Sequence, residues 1–224
     1  MRNEQYYDQF SKHYDAQRLR GYFGFVNEME AAVLKPLSLN KSVLEIGCGT
    51  GLILRQIRKE AESAVGVDLS HGMLLSAAAK GLSVARADAV ALPFKGSSFD
   101  VVCSFKVLAH IKDVEKSLNE AARVAKSNGF VVLEFYNSRS IKRLTNFFIR
   151  KKIFTRYDSL AAIKRMLPGQ LSIEAVKGVR IAAPASFFFS LPVIGKITRA
   201  VERSLSKTPL TLFGSYFIVV CRKK

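Results

Sequence analysis

Val43-Leu44-Glu45-Ile46-Gly47-Cys48-Gly49-Thr50-Gly51 is the stretch that decides the fold: four residues suited to a buried strand run into a turn with three glycines at a spacing of two. Glycine lets a backbone adopt left-handed conformations and approach a ligand closely, and a helix opening after such a turn offers amides to polar ligand atoms. A nicotinamide-binding turn would carry its third glycine one place later, where this chain has Leu52. The acid two residues before the first glycine and the tighter glycine spacing point to a different nucleotide-binding turn.

Outward from that turn the chain alternates short apolar runs with amphipathic segments. Strands are expected at Ser42–Ile46, Ala64–Asp68, Ser83–Asp88, Phe99–Phe105 and Gly129–Phe135, with helices at Leu52–Glu60, Met73–Lys80 and Val114–Lys126. Strands joined by crossover helices make a parallel sheet with its ligand crevice at the carboxyl ends of the strands. Asp68 then ends the second strand, where its carboxylate can accept from both hydroxyls of a ribose. Met73 is spaced to cover an adenine face, and Asp88, ending the third strand, can accept from an exocyclic amine. Taken singly, each of these aspartates reads as a strand-end turn residue; together they converge on one adenosine-sized crevice.

With these residues in place the chain resembles the class I S-adenosylmethionine-dependent methyltransferases, the small type that includes quinone and lipid methyltransferases. The resemblance covers about residues 6–137 and rests on LEIGCGTG, VGVDLSHGML, ADAVALPFKGSSFDVV, the segment from Lys106 to Asn137 and an upstream FSKHYD at Phe10–Asp15. It implies an α/β fold: a doubly wound, mostly parallel seven-stranded Rossmann-like sheet with an N-terminal helical lid and a basic C-terminal cap. It implies S-adenosylmethionine as cofactor, with Glu45, Gly47, Cys48, Gly49 and Gly51 around the methionine part and Asp68 on the ribose. Leu69 and Met73 would flank adenine, Asp88 and Ala89 would meet its amino edge, Phe105 would close the pocket, and Tyr14 matches the tyrosine of the family's lid. Two positions depart from the family pattern: Ala109 stands where VLEH has its glutamate, and Asn128 replaces the first glycine before the fifth strand. Neither removes an expected cofactor contact.

Methyl transfer requires a base only for a hydroxyl or a protonated amine. His110, just beyond the fourth strand, is the candidate general base; as a purely structural residue it would cap a helix or bond to backbone. His13 and His71 read as surface or cofactor-edge residues and Glu134 as a weaker base candidate.

The chain has 224 residues, 49% apolar and 24% charged, enough for one α/β domain with a small appendage. Three segments are expected: a lid over 1–40, the cofactor core over 41–137, and an acceptor-binding cap with the last two strands over 138–224. Its net charge of +17 is lopsided. Residues 1–138 hold 17 basic and 15 acidic side chains, against 18 and 3 in residues 139–224. The C-terminal third is also apolar: a basic amphipathic helix is expected at Ile141–Phe154, strands at Leu171–Ile181 and Phe213–Cys221, and a basic helix around Ile194–Leu205 after the run Phe187–Ile194. Apolar and basic together suit a small hydrophobic or lipid-like methyl acceptor and peripheral contact with an anionic membrane. The same charge would serve a phosphate backbone, so an RNA methyltransferase is the alternative. No RNP, KH or OB-type segment supports it. A non-catalytic S-adenosylmethionine-binding regulatory module is the third reading. Three isolated cysteines without metal-ligand spacing exclude a zinc site and a disulfide framework, and with no signal-peptide pattern a cytoplasmic location is expected.

Overall fold

The structure, a computed structural model, describes residues 3–140, 154–181 and 186–224. Helices α1 (Asn3–Arg18) and α2 (Gly21–Ser38) precede the first strand. The alternating region then gives β1 (Ser42–Ile46), α3 (Leu54–Ile57), β2 (Ser63–Asp68), α4 (His71–Ala78), β3 (Ser83–Arg86), β4 (Phe99–Ser104), α5 (Val114–Val124) and β5 (Ala125–Tyr136). The C-terminal third adds α6 (Leu160–Met166), β6 (Leu171–Val179), α7 (Pro192–Leu205) and β7 (Tyr216–Lys223).

The seven strands form one sheet in the order β3-β2-β1-β4-β5-β7-β6. Strands β1 to β5 pair in parallel, whereas β7 enters antiparallel between β5 and β6. Val43-Leu44, Val101-Val102 and Val131–Leu133 are buried on both faces, which is why these strands read as continuous apolar runs rather than alternating ones. One face is covered by α5 through Val114, Leu118, Ala121 and Ala122, and the other by α2 through Phe25, Val26 and Leu34. Chain order reverses between β1 and β4, so the crevice at their carboxyl ends is the topological switch point.

Several expectations change at their edges, and β3 stops at Arg86, two residues short of Asp88. The first crossover helix shrinks to four residues because the chain from Gly49 to Ile53 continues in turns. The helix expected to reach Lys126 stops at Val124, and β5 starts at Ala125 across a register shift between Phe99 and Val101 on β4. Within β5 that shift includes Asn128 at φ 60, the left-handed region asparagine tolerates best after glycine. Phe213 ends a 3-10 turn (Pro209–Phe213), and β7 begins three residues later. The helix expected at Ile141–Phe154 lies outside the described residues except for Phe154, which is irregular. Helix α6 was not expected; Ser159 caps it by accepting from Ala162 N–H.

Helix α1 lies across the carboxyl edge of the sheet and is fixed there by acids. Asp8 accepts from the Ser70 hydroxyl at 2.6 Å and from Gly72 N–H at 2.9 Å, at the start of α4. Asp15 accepts from the Thr50 hydroxyl in the glycine turn and pairs with Lys80 at 2.5 Å. Glu4 pairs with Arg86 at the end of β3.

Candidate functional site

The carboxyl ends of β1 to β5 and the underside of α1 enclose a cavity of about 1260 Å³. A small chamber of about 30 Å³ adjoins it, and the two share Tyr14, Gly47, Gly49, Phe105 and Lys106 as walls.

The glycine turn is held by β2. Gly47 and Cys48 N–H both donate to Val67 C=O, at 2.7 and 2.9 Å, and Gly49 N–H donates to Asp68 at 2.8 Å. Three amides of the turn are thus committed to β2, and the helix that follows it, α3, is only four residues long. Gly47 (φ 70) could not carry a side chain: a Cβ there would overlap Cγ2 of Val107. Gly51 (φ 77) is packed beneath Leu82 and lines neither cavity.

Of the other expected cofactor residues, Tyr14, Asp68, Leu69, Met73, Asp88, Ala89 and Phe105 line the large cavity. Glu45 and Cys48 line the small chamber. Burial raises the Asp68 carboxyl, opposed by the N–H groups of Ser70 and Gly49. Asp88 accepts from Val90 N–H at 3.1 Å, which fixes the loop after β3. Cys48 turns its sulfur toward Gly66 and is a packing residue, its thiol raised by burial.

Glu45 is 3% exposed, and its Oε2 has no hydrogen-bond partner. Burial and the neighbouring Glu30, against the pull of Lys106, push its carboxyl up to about 8. A buried acceptor without a donor is costly unless a ligand supplies one. Beside it lies a feature the sequence did not announce: Lys106, at φ 61 two residues after β4, donates to Glu30 at 2.6 Å and Asn27 at 2.8 Å on α2. Burial pulls its amine down, but Glu30, Tyr14 and Glu134 hold it above the ordinary lysine value.

The cavity wall is also rich in aromatic rings. Tyr6, Tyr7, Phe10, Phe23, Tyr136 and Tyr216 line it, as does Phe154 from the segment that returns after residue 153. His110 sits among them, its ring 6.2 Å from Tyr7 and 6.0 Å from Tyr136. Its Nδ1 lies 2.8 Å from Phe154 C=O. A carbonyl can only accept, so Nδ1 carries a proton and donates it to this bond. Glu134 is buried within β5 opposite Ile218 and is not on the cavity wall, while His13 and His71 are exposed away from it. Among the described residues no cluster of three His, Cys, Asp or Glu could hold a metal.

The glycine turn, the unpartnered Glu45 oxygen, Asp68, and Leu69 and Met73 on the cavity wall fit a nucleoside joined to a cationic amino acid. This is the class I S-adenosylmethionine-dependent methyltransferase fold, and residues 44–133 match the family model described as a methyltransferase domain.

Several known proteins resemble the chain. An uncharacterised protein of Methanocaldococcus jannaschii is 34% identical over 140 residues, 62% of this chain and 53% of that one. The demethylmenaquinone methyltransferase of Corynebacterium glutamicum is 31% identical over 58% of this chain and 57% of that one. A tRNA (carboxymethyluridine(34)-5-O)-methyltransferase of Arabidopsis thaliana is 31% identical over 57% of this chain and 30% of that one. The chain thus spans about half the length of the first two and less of the third. Among solved structures, a SAM-dependent methyltransferase of Thermotoga maritima superposes with a TM-score of 0.70 at 20% identity, over 99% of both chains.

Proposed function

We propose that the chain is an S-adenosylmethionine-dependent methyltransferase acting on a small hydrophobic or lipid-like acceptor. The observation that carries the acceptor class is the aromatic wall of the cavity, where His110 stands among Tyr7, Tyr136 and Phe154. At about 1260 Å³ the cavity exceeds the roughly 300–1,000 Å³ of a site for one small ligand, which leaves room for an acceptor beside the cofactor. Among the described residues its wall mixes acids (Glu4, Asp68, Asp88, Asp113) with Arg18, Lys106 and Lys112 rather than forming a cationic lining for a phosphate chain. The relatedness to demethylmenaquinone methyltransferases points the same way, and that to a tRNA methyltransferase keeps RNA as the competing acceptor.

In this reading Glu45 accepts from the cofactor's ammonium, Asp68 from its ribose, and Asp88 with Ala89 meets the adenine edge between Leu69 and Met73. Gly47 and Gly49 allow backbone contact, and Tyr14 and Phe105 close over the methionine part. When bound, the cofactor supplies a methyl group already activated on a sulfonium. The protein's work is then alignment of the acceptor within the aromatic walls and exclusion of water by α1. His110 Nε2 takes the acceptor's hydroxyl or ammonium proton.

The test offers the purified chain S-adenosylmethionine with quinone precursors, lipid extracts or total RNA and measures S-adenosylhomocysteine. Turnover is expected with a hydrophobic acceptor, and His110→Ala lowers it about 10²–10⁴-fold with cofactor affinity unchanged. Turnover with RNA alone would overturn the acceptor class, and tight cofactor binding without turnover on any acceptor would favour a regulatory module.

A further inference from the structure

Helix α7 is amphipathic in the reverse of the usual sense. Its inward side carries Gly195, against the carbonyl of Phe189, and Glu202, which accepts from Ile181 N–H at 2.7 Å. Arg199, also on the inward side, pairs with Glu28 of α2. Its outward side carries Val193, Ile197 and Val201 at four-residue spacing, with Ile194 beside them, and these are 43–70% exposed. An apolar helical stripe normally faces the core. Here the polar and ionic side faces α2, and the apolar side faces out.

The two 3-10 turns packed against α7 continue the surface. Ser186–Ser190 contributes Phe187, and Pro209–Phe213 contributes Leu210, Leu212 and Phe213, all 44–63% exposed. Lys196 on α7 and Lys207 just after it are exposed beside them, while Arg203 pairs with Glu28 of α2. From Ser186 to Lys224 the sequence holds seven Lys or Arg and a single acid, Glu202, which is buried.

We propose that this face docks on an anionic lipid bilayer, with α7 lying in the headgroup plane. Exposed aliphatic and phenylalanine side chains bordered by lysine and arginine, on a segment whose one acid is buried, match an interface that is apolar below and anionic above. A second copy of the chain meeting this face across a two-fold axis would bring the same cations together. The chemistry is that of a surface helix: among the described residues no helix is long and apolar enough to cross a membrane. The elements that carry the face adjoin those that wall the cavity. Phe189 packs on Tyr22 and Phe25 of α2, whose Phe23 and Val26 line it, and the chain runs from Phe213 through two residues into Tyr216, also on the wall. Docking would therefore hold the aromatic chamber near the bilayer, a consequence that rests on the hydrophobic-acceptor reading, whereas docking itself does not.

The experiment is flotation of the full chain with phosphatidylcholine vesicles containing about a third phosphatidylglycerol, against pure phosphatidylcholine. The chain is expected to float with the anionic vesicles and to be released by salt. Ile197→Ser with Val201→Ser, at exposed positions, should abolish flotation while leaving thermal stability and cofactor affinity unchanged. Lys196→Glu with Lys207→Glu should weaken vesicle affinity about thirtyfold. Absence of flotation, or flotation indifferent to both double variants, overturns the proposal. So does sedimentation showing a dimer that the serine variant converts to monomer while vesicles stay unbound. A chain that floats yet methylates nothing keeps the docking and loses the enzymatic reading.

Discussion

Two residues of the glycine turn carry opposite kinds of constraint. Glu45 is held protonated by burial up to about pH 8, whereas an unfolded glutamate ionises near 4.3. Between about pH 4.5 and 8 the folded chain keeps a proton that the unfolded chain has released, so stability falls as pH rises through that window and levels off above it. Glu45→Gln should flatten that decline in thermal-melt midpoint. An ammonium set against Glu45 lowers its pKa, so cofactor binding near neutral pH should release a proton from the parent chain and none from the glutamine variant. Calorimetry in buffers of different ionisation enthalpy measures that difference. Gly47 is constrained by space: at φ 70, with the Val107 side chain filling the place a Cβ would take, Gly47→Ala should cost about 2–4 kcal/mol in chemical denaturation and abolish cofactor binding.

At the scale of the element, α1 is a lid held by two aspartates rather than by a continuous apolar face. Asp15→Ala removes the acceptor of the Thr50 hydroxyl and the partner of Lys80, a loss of about 1 kcal/mol. Amide exchange in residues 3–18 should quicken and cofactor release should speed up, with protection of β1 and β4 unchanged. The Ser70 hydroxyl and Gly72 N–H hold the Asp8 carboxyl below its ordinary value. Its contribution is present above the unfolded aspartate pKa and is lost as pH falls through the lower folded value. Acidification below about pH 4 should therefore loosen the same helix in the same exchange measurement. The sequence marked residues 1–40 as a lid, yet nothing in its periodicity showed which acids would anchor it. Asp8 meets Gly72 across 64 residues and Asp15 meets Thr50 across 35, and such pairings form only once the sheet has brought the strand ends together.

For the whole molecule, the excess of positive charge is a cost in itself, because like charges in a compact body repel. With a net charge of +17, the melting temperature should rise as monovalent salt is added at constant pH, which a thermal scan reads directly. The parallel core was legible because β1, β4 and β5 are buried on both faces and announce themselves as apolar runs, and because the glycine turn and Asp68 sit at strand ends, with Asp88 two residues beyond one. The wall of the cavity was less so: Lys106 with Glu30, the return of Phe154 to His110, and Tyr216 among the aromatic rings are contacts across 76, 44 and more residues. The sequence by itself determined the strand order's local rhythm, the cofactor-type turn and the confinement of charge to the last third, since each follows from neighbours along the chain. Only the tertiary structure decided which acids clamp the lid, which nitrogen of His110 donates to Phe154 and that α7 turns its apolar side outward. Periodicity reveals that a helix has two faces, but which of them meets water is settled by what packs against it.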